Sequence, residues 1–150
     1  MTIEINELFE KNIALLIKSF ETALNDGLIR YDKKGELSNI RISFLLSSVL
    51  CKLPLLRIDL YDESDTMDMI ECFSYWDVKP ISDSLYQYES ENYRIKDYEL
   101  EQLWLEISNE YFKGFEKYLP IIIAQCNIKC INCRWHYGYF FGRTITVKES

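Results

Sequence analysis

The chain has 150 residues, 48% hydrophobic and 27% charged, a size and composition typical of one globular domain over residues 1–150. Its formal charge is −7 and it has no cluster of Lys and Arg, so nucleic acid and anionic membranes are poor partners. An odd number of cysteines (five), an acidic N-terminal segment and the lack of an apolar run of about 18 residues predict a soluble, cytoplasmic protein with reduced thiols.

The first predicted element is an amphipathic helix over residues 3–25, because apolar residues recur there at three- and four-residue steps. Thr2 is its predicted N-cap, and Gly27 is predicted to end it. Residues 28–31 are then expected to be extended and residues 32–35 to form a turn.

Three segments of alternating apolar and polar residues follow, and they predict antiparallel strands joined by hairpins. The first segment is Ile40–Leu46, the second is Leu56–Tyr61 and the third is Ile70–Trp76. A polar turn over residues 62–65 is expected between the second and third segments.

The C-terminal half predicts a short helix over residues 81–90 and a long one over residues 97–118. Pro120 is expected to kink the long helix or to begin a new one. Alternation over residues 139–147 predicts one last strand, with Gly142 as a possible bulge. Together these elements predict an α+β domain with an N-terminal helix and a long C-terminal helix packed on an antiparallel sheet.

A C-x3-C-x2-C-x2-H pattern is formed by Cys126, Cys130, Cys133 and His136. Thiolates and imidazole are suitable zinc ligands, so a zinc site is one interpretation. The three-cysteine spacing resembles the cluster motif of radical S-adenosylmethionine enzymes, but those enzymes carry it ahead of a large barrel, and only 17 residues follow Cys133 here. We favour a third interpretation, that the cysteines pack as small apolar residues on one helix face.

Signatures of catalysis are missing from the sequence. His136 is the only histidine, and there is no G-x-G-x-x-G, Walker-type or G-x-S-x-G motif. We therefore predict that the chain is not an enzyme and needs no cofactor, with zinc as the alternative. A carboxylate-dependent hydrolase stays a further alternative, because such enzymes need only two or three well-placed acids.

Charge is segregated along the chain. Residues 59–110 hold 15 acidic and three basic residues, a formal charge of −12, whereas the remainder carries +5. Tyr and Trp are interleaved with these acids, which favours a surface that recognises a cationic protein, although a solvated acidic face over an aromatic core would give the same pattern. The predicted partner-binding residues are Asp59, Tyr61, Asp62, Glu63, Asp65, Asp68, Glu71, Tyr75, Trp76 and Asp77.

The stretch Ile42–Asp62, continued by Glu71–Asp77, resembles small proteins of Gram-positive bacteria. In overall style the chain also resembles immunity proteins of bacterial polymorphic or contact-dependent toxin systems. Those proteins are small acidic cytosolic domains that bind a toxin and block its active site. Since they adopt many folds, no binding residues are carried over. The resemblance implies an inhibitor whose partner is a basic, nuclease-like toxin domain.

Overall fold

The computed structural model describes residues 4–31, 37–45, 55–62, 72–79, 81, 97–126, 133–139 and 144–148. Within them lie two helices and five strands, which confirms the predicted α+β class. The helices are α1 (Glu4–Tyr31) and α2 (Asp97–Gln125). The strands are β1 (Leu37–Phe44), β2 (Leu55–Asp62), β3 (Phe73–Asp77), β4 (Arg134–Tyr139) and β5 (Thr144–Lys148).

The strands form one sheet in the order β3-β2-β1-β4-β5. β1, β2 and β3 are antiparallel neighbours, and so are β4 and β5, but β4 runs parallel to β1. The sheet is therefore mixed, and the prediction of an antiparallel sheet is wrong at this central pair. The reason is the connection: the chain passes through α2 before β4, and a helical crossover allows parallel pairing.

One face of the sheet is apolar and packs against both helices. Ile42 of β1 lies between Ile58 of β2 and Tyr137 of β4, and all three side chains are fully buried. The Tyr137 hydroxyl donates to the backbone carbonyl of Phe112 in α2, 3.0 Å away. The hydroxyl of Ser74 in β3 donates to the carbonyl of Ala23 in α1, 2.7 Å away. Alternation on the strands thus places the core between this face and the two helices.

Helix α1 continues past Gly27 to Tyr31, so the predicted stop at Gly27 and the extended segment after it are both wrong. Gly27 is buried, and a Cβ there would lie 3.0 Å from Cδ1 of Leu60 and 3.2 Å from Oγ of Ser74. The glycine lets the helix backbone approach the sheet closely. Burial of Leu24 and Tyr31 on either side stabilises the extra turn.

The two helices pack through aromatic side chains. The ring of Phe9 is stacked on that of Tyr118, with centroids 5.0 Å apart, and meets the edge of Phe115 at 4.9 Å. The Tyr118 hydroxyl lies 3.1 Å from a carboxylate oxygen of Glu10. Burial, and then the Glu10 carboxylate, raise the pKa of Tyr118, so this hydroxyl stays protonated and donates to Glu10.

Pro120 lies inside α2, which continues to Gln125, so the proline begins no new helix. Proline removes one backbone donor from the helix. Pro120 is exposed, as is Glu116 four residues earlier, so the carbonyl of residue 116 lies on the solvent side. Burial of Leu119 and Ile122 on the opposite side of this helix offsets the lost hydrogen bond.

The last predicted strand is instead a hairpin of two strands, β4 and β5. Tyr137 pairs with Ile145, and the register of this pairing shifts between Trp135 and His136. Other predicted features lie outside the described residues: Thr2, Leu46, Ile70, Gly142, the turn over residues 32–35, residues 63–65 of the second turn, and residues 82–90 of the short helix.

Candidate functional site

The predicted partner-binding residues occupy different environments. Tyr75 is 47% exposed and Asp77 is also exposed, both on β3, while Tyr61 is half-buried on β2. Asp62 is the last residue of β2. Glu63, Asp65, Asp68 and Glu71 lie outside the described residues.

Trp76 was predicted at the surface but is fully buried. Its ring centroid lies 5.0 Å from that of Phe20 in α1 and 5.5 Å from that of Phe115 in α2. Its indole Nε1 donates to the hydroxyl of Ser19, 2.9 Å away. Trp76 is thus a core residue, and its alternation with Tyr75 on β3 turns Tyr75 outward.

Asp59 is also buried, with 4% of its surface exposed. Its carboxylate accepts from Nε of Arg57 at 2.9 and 3.1 Å and lies 2.8 Å from Nη2 of the same guanidinium. The Arg57 guanidinium in turn lies 4.0 Å above the centre of the Phe73 ring. The charge of Asp59 is therefore balanced inside the protein and is not presented to a partner.

β3 lies at one edge of the sheet that the structure describes. The carbonyl of Cys72 accepts from the backbone N–H of Leu60 in β2, 2.9 Å away. In an antiparallel pair the direction of the backbone groups alternates along the strand, so those of Phe73, Tyr75 and Asp77 point to the outer edge. The carbonyl of Phe73 accepts there from Nη1 of Arg30 at 3.3 Å.

An open groove of about 540 Å³ runs between this edge and α1. Leu15, 55% exposed, gives it an apolar side chain, and two cations and two carboxylates give it polar ones. The Asp77 carboxylate accepts from the backbone N–H of Lys79, 2.9 Å away. The lining residues are Leu15, Lys18, Ser19, Thr22, Ala23 and Asp26 of α1, together with Tyr75, Asp77 and Lys79.

The sheet face opposite the helices carries polar residues, as the alternation along the strands predicts, but the grouping of its arginines with His136 was not predicted. Arg41 of β1 lies between Asp59 of β2 and His136 of β4. Two residues further along β1, Ser43 lies between Arg57 of β2 and Gly138 of β4. These polar residues alternate with core residues in the segments 39–43, 57–59 and 134–136, which is the sequence signal for this face.

His136 is held on this face by a hydrogen bond between its Nε2 and Oδ1 of Asn39, 3.1 Å apart. Burial, and then the charges of Arg134 and Arg41, lower the pKa of His136 below its ordinary value. The imidazole is therefore neutral at physiological pH.

Cys126 and Cys133 do not share a helix face, because α2 ends at Gln125. Cys126 follows the helix, and Cys133, just before β4, is buried with its Sγ 3.6 Å from the carbonyl of Leu37. Cys130 lies outside the described residues. Among the described residues no group of three or more His, Cys, Asp or Glu side chains could hold a metal ion. The zinc alternative, which needs Cys130, stays a prediction.

The groove beside β3 is the described feature that bears on the hydrolase alternative, because it is lined by two carboxylates, Asp26 and Asp77. Both side chains are exposed, and Lys18 and Lys79 line the same groove. A carboxylic acid catalyst is typically buried, and neither of these two carboxylates is. The hydrolase alternative also stays a prediction.

Neither helix, over its described residues, is long and apolar enough to cross a membrane. Comparison of the chain with protein-family models, with curated proteins and with solved structures finds no match.

Proposed function

We propose that this chain is a protein-binding inhibitor of the immunity type that blocks a cationic partner, such as a nuclease-like toxin domain. Its contact surface is the outer edge of β3 together with the groove along α1. One observation carries the proposal: Tyr75 stands nearly half exposed on an edge strand, beside Asp77 and an open groove. Exposed tyrosines at a surface of this kind are typical centres of binding energy.

Two physical features support this edge as a docking site. The backbone groups of Tyr75 and Asp77 point outward, so an extended segment of a partner can pair with them as an added strand. Leu15 and Ala23 of α1 line the groove beneath, where that segment would place an apolar side chain.

The acidic part of the chain supports a cationic partner. β3 lies within the segment of charge −12, and Asp62 at the end of β2 leads into Glu63, Asp65 and Asp68. These carboxylates would attract a basic cleft and occupy positions that substrate phosphates normally take. Attraction of this kind mainly raises the association rate and makes it fall with added salt.

The test begins with a partner captured from the native host and purified. Tyr75→Ala is expected to weaken its binding by roughly tenfold or more. Ile29→Ala is the matched control, because Ile29 is also an exposed large side chain but lies on the last turn of α1 and does not line the groove. Equal affinity of the Tyr75 variant and the wild type would contradict the proposed surface.

A second arm tests the charge. Neutralising Asp62, Glu63, Asp65 and Asp68 together is expected to lower the association rate and to flatten its dependence on salt. Neutralising Glu7 and Glu116, two exposed acids outside residues 59–110, is the control for a general loss of negative charge. An unchanged rate and an unchanged salt dependence would remove the cationic partner from the proposal.

A further inference from the structure

The parallel pairing of β1 with β4 assembles a cationic cluster on the polar face of the sheet. Asn39 pairs with Arg134, and Arg41 pairs with His136. Residues two apart on a strand share a face, so all four side chains lie on one side of the sheet. Arg134 is exposed, whereas His136, Arg41 and Asn39 are half-buried. The cluster thus reaches from the surface into the sheet.

Hydrogen bonds fix the imidazole of His136 in one tautomer. Oδ1 of Asn39 can only accept, so the bond of 3.1 Å requires Nε2 of His136 to donate. Nδ2 of the same amide donates to the hydroxyl of Ser38, 3.0 Å away. The Ser38 hydroxyl lies 3.5 Å from the carbonyl of Tyr61. Nδ1 of His136 is therefore the ring nitrogen left to meet a ligand.

The two cations beside the imidazole favour an anion, and one carboxylate lies beyond Arg41. Arg41 and Arg134 both act on His136 through their positive charge. On β2, beyond Arg41, the Asp59 carboxylate is held by Arg57, and on β5 the neighbour of His136 is Thr146. Arg41 faces Asp59 across the pairing of β1 with β2, so an anion is attracted mainly toward His136 and the exposed Arg134.

Ser43 provides a second, independent observation. It is fully buried on the same face, two residues after Arg41 and opposite Gly138. Its hydroxyl has no hydrogen-bond partner within the part of the chain that the structure describes. A buried hydroxyl without a partner costs free energy, and an oxygen acceptor next to it would recover that cost.

We propose that Arg134, His136 and Arg41, with Ser43 at the inner end, form a binding site for a single phosphate group, free or on a small molecule. A phosphate dianion offers several acceptor oxygens, enough for the guanidinium groups, Nδ1–H of a protonated His136 and the Ser43 hydroxyl. A carboxylate has fewer oxygens and half the charge. A nucleic acid is excluded as the source, because the net charge of −7 opposes a polyanion.

The experiment uses the full chain and inorganic phosphate, and it needs no protein partner. Because His136 is the only histidine, its imidazole proton gives one unambiguous NMR resonance. Its titration midpoint is measured in phosphate and in chloride at equal ionic strength. Phosphate is expected to raise the midpoint by about one pH unit, which corresponds to about tenfold tighter binding by the protonated form. Equal midpoints in phosphate and chloride would overturn the proposal.

Two variants and one further anion make the result specific. Arg134→Gln is expected to weaken phosphate binding by about fivefold or more and, without phosphate, to raise the His136 midpoint. Arg30→Gln removes an exposed arginine from α1 instead and is expected to leave phosphate binding unchanged. An equal loss in both variants, or a response to acetate as large as that to phosphate, would show general charge screening and overturn the site.

Discussion

A Cβ on Gly114 of α2 would lie 2.5 Å from Cε2 of Phe9 in α1, so the helices meet where α2 has no side chain. The Phe9 ring cannot move aside easily, since it is packed between Phe115 and Tyr118. Gly114→Ala is therefore expected to destabilise the fold by about 1–3 kcal/mol, despite the better helix propensity of alanine. Chemical denaturation measures this change.

Gly27→Ala is the matched control, because Gly27 is also a buried glycine inside a helix. Its new Cβ would meet Cδ1 of Leu60 at 3.0 Å, and that methyl group is the far end of a flexible side chain. The Leu60 side chain can shift to remove this close contact, so the loss of stability is expected to be smaller than in Gly114→Ala. A larger loss of stability in Gly27→Ala than in Gly114→Ala would show that α1 and α2 pack less tightly at Gly114 than α1 and the sheet pack at Gly27.

The bond from Trp76 to Ser19 joins the sheet to α1. Nε1 of Trp76 donates to Oγ of Ser19 at 2.9 Å, and Ser19 donates to the carbonyl of Leu16 at 3.1 Å. Ser19→Ala leaves the buried indole N–H without its acceptor and is expected to cost about 1–2 kcal/mol of unfolding free energy. Thr22→Ala is the control, because Thr22 makes a similar bond to the carbonyl of Lys18 on the exposed side of α1. Equal effects of both variants on the denaturation midpoint would contradict this assignment.

The local alternation of the strands could be predicted from the sequence. Ile40, Ile42, Leu56, Ile58 and Leu60 are all buried, as the two-residue period requires. The same period also implied that Trp76 and Tyr75 point in opposite directions. Which of the two was buried depended on α1, whose Ser19 and Phe20 meet Trp76. The burial of Trp76 instead of Tyr75 therefore depends on tertiary contacts, and it cannot be predicted from the sequence of the strand alone.

Gly27 shows why helix ends were harder to predict. A glycine after an amphipathic segment is typical of a helix end, but it is equally suited to close packing of a helix on a sheet. The distinction depends on Leu60 and Ser74, which are distant in sequence.

The grouping of cations on the polar face was not predicted, for a similar reason. Arg41, Arg57 and Arg134 come from three strands, and the sequence alone does not show that they share one face. The parallel pairing of β1 with β4 makes Arg41 and His136 neighbours, and that pairing depends on the crossover through α2. The Arg57-x-Asp59 spacing did place both charges on one face of β2, and this local signal could have identified the ion pair.

Breaking the ion pair of Arg57 with Asp59 is expected to be costly, because both side chains are largely buried. Asp59→Asn removes the countercharge and leaves the guanidinium over the Phe73 ring without it, so a loss of roughly 3 kcal/mol of stability is expected. Glu110→Gln breaks the exposed ion pair with Lys113, in which Nζ of Lys113 lies 4.0 Å from Oε1 of Glu110. This change is expected to lower the free energy of unfolding by less than about 0.5 kcal/mol. Similar midpoints for the two variants in urea would show that Asp59 is well solvated after all.

His136 is expected to make stability depend on pH in the weakly acidic range. Its pKa in the folded chain is lowered, by burial first and then by Arg134 and Arg41, whereas the unfolded chain has the ordinary value of about 6.5. As the pH falls below that value the unfolded chain binds the proton first, so the free energy of unfolding decreases until the pH passes the lower folded pKa. His136→Gln removes this titration and is expected to have a flatter profile over the same range. Denaturation curves measured at several pH values, from neutral to weakly acidic, provide the comparison. Parallel profiles for the variant and the wild type would mean that the folded and unfolded pKa values of His136 are the same.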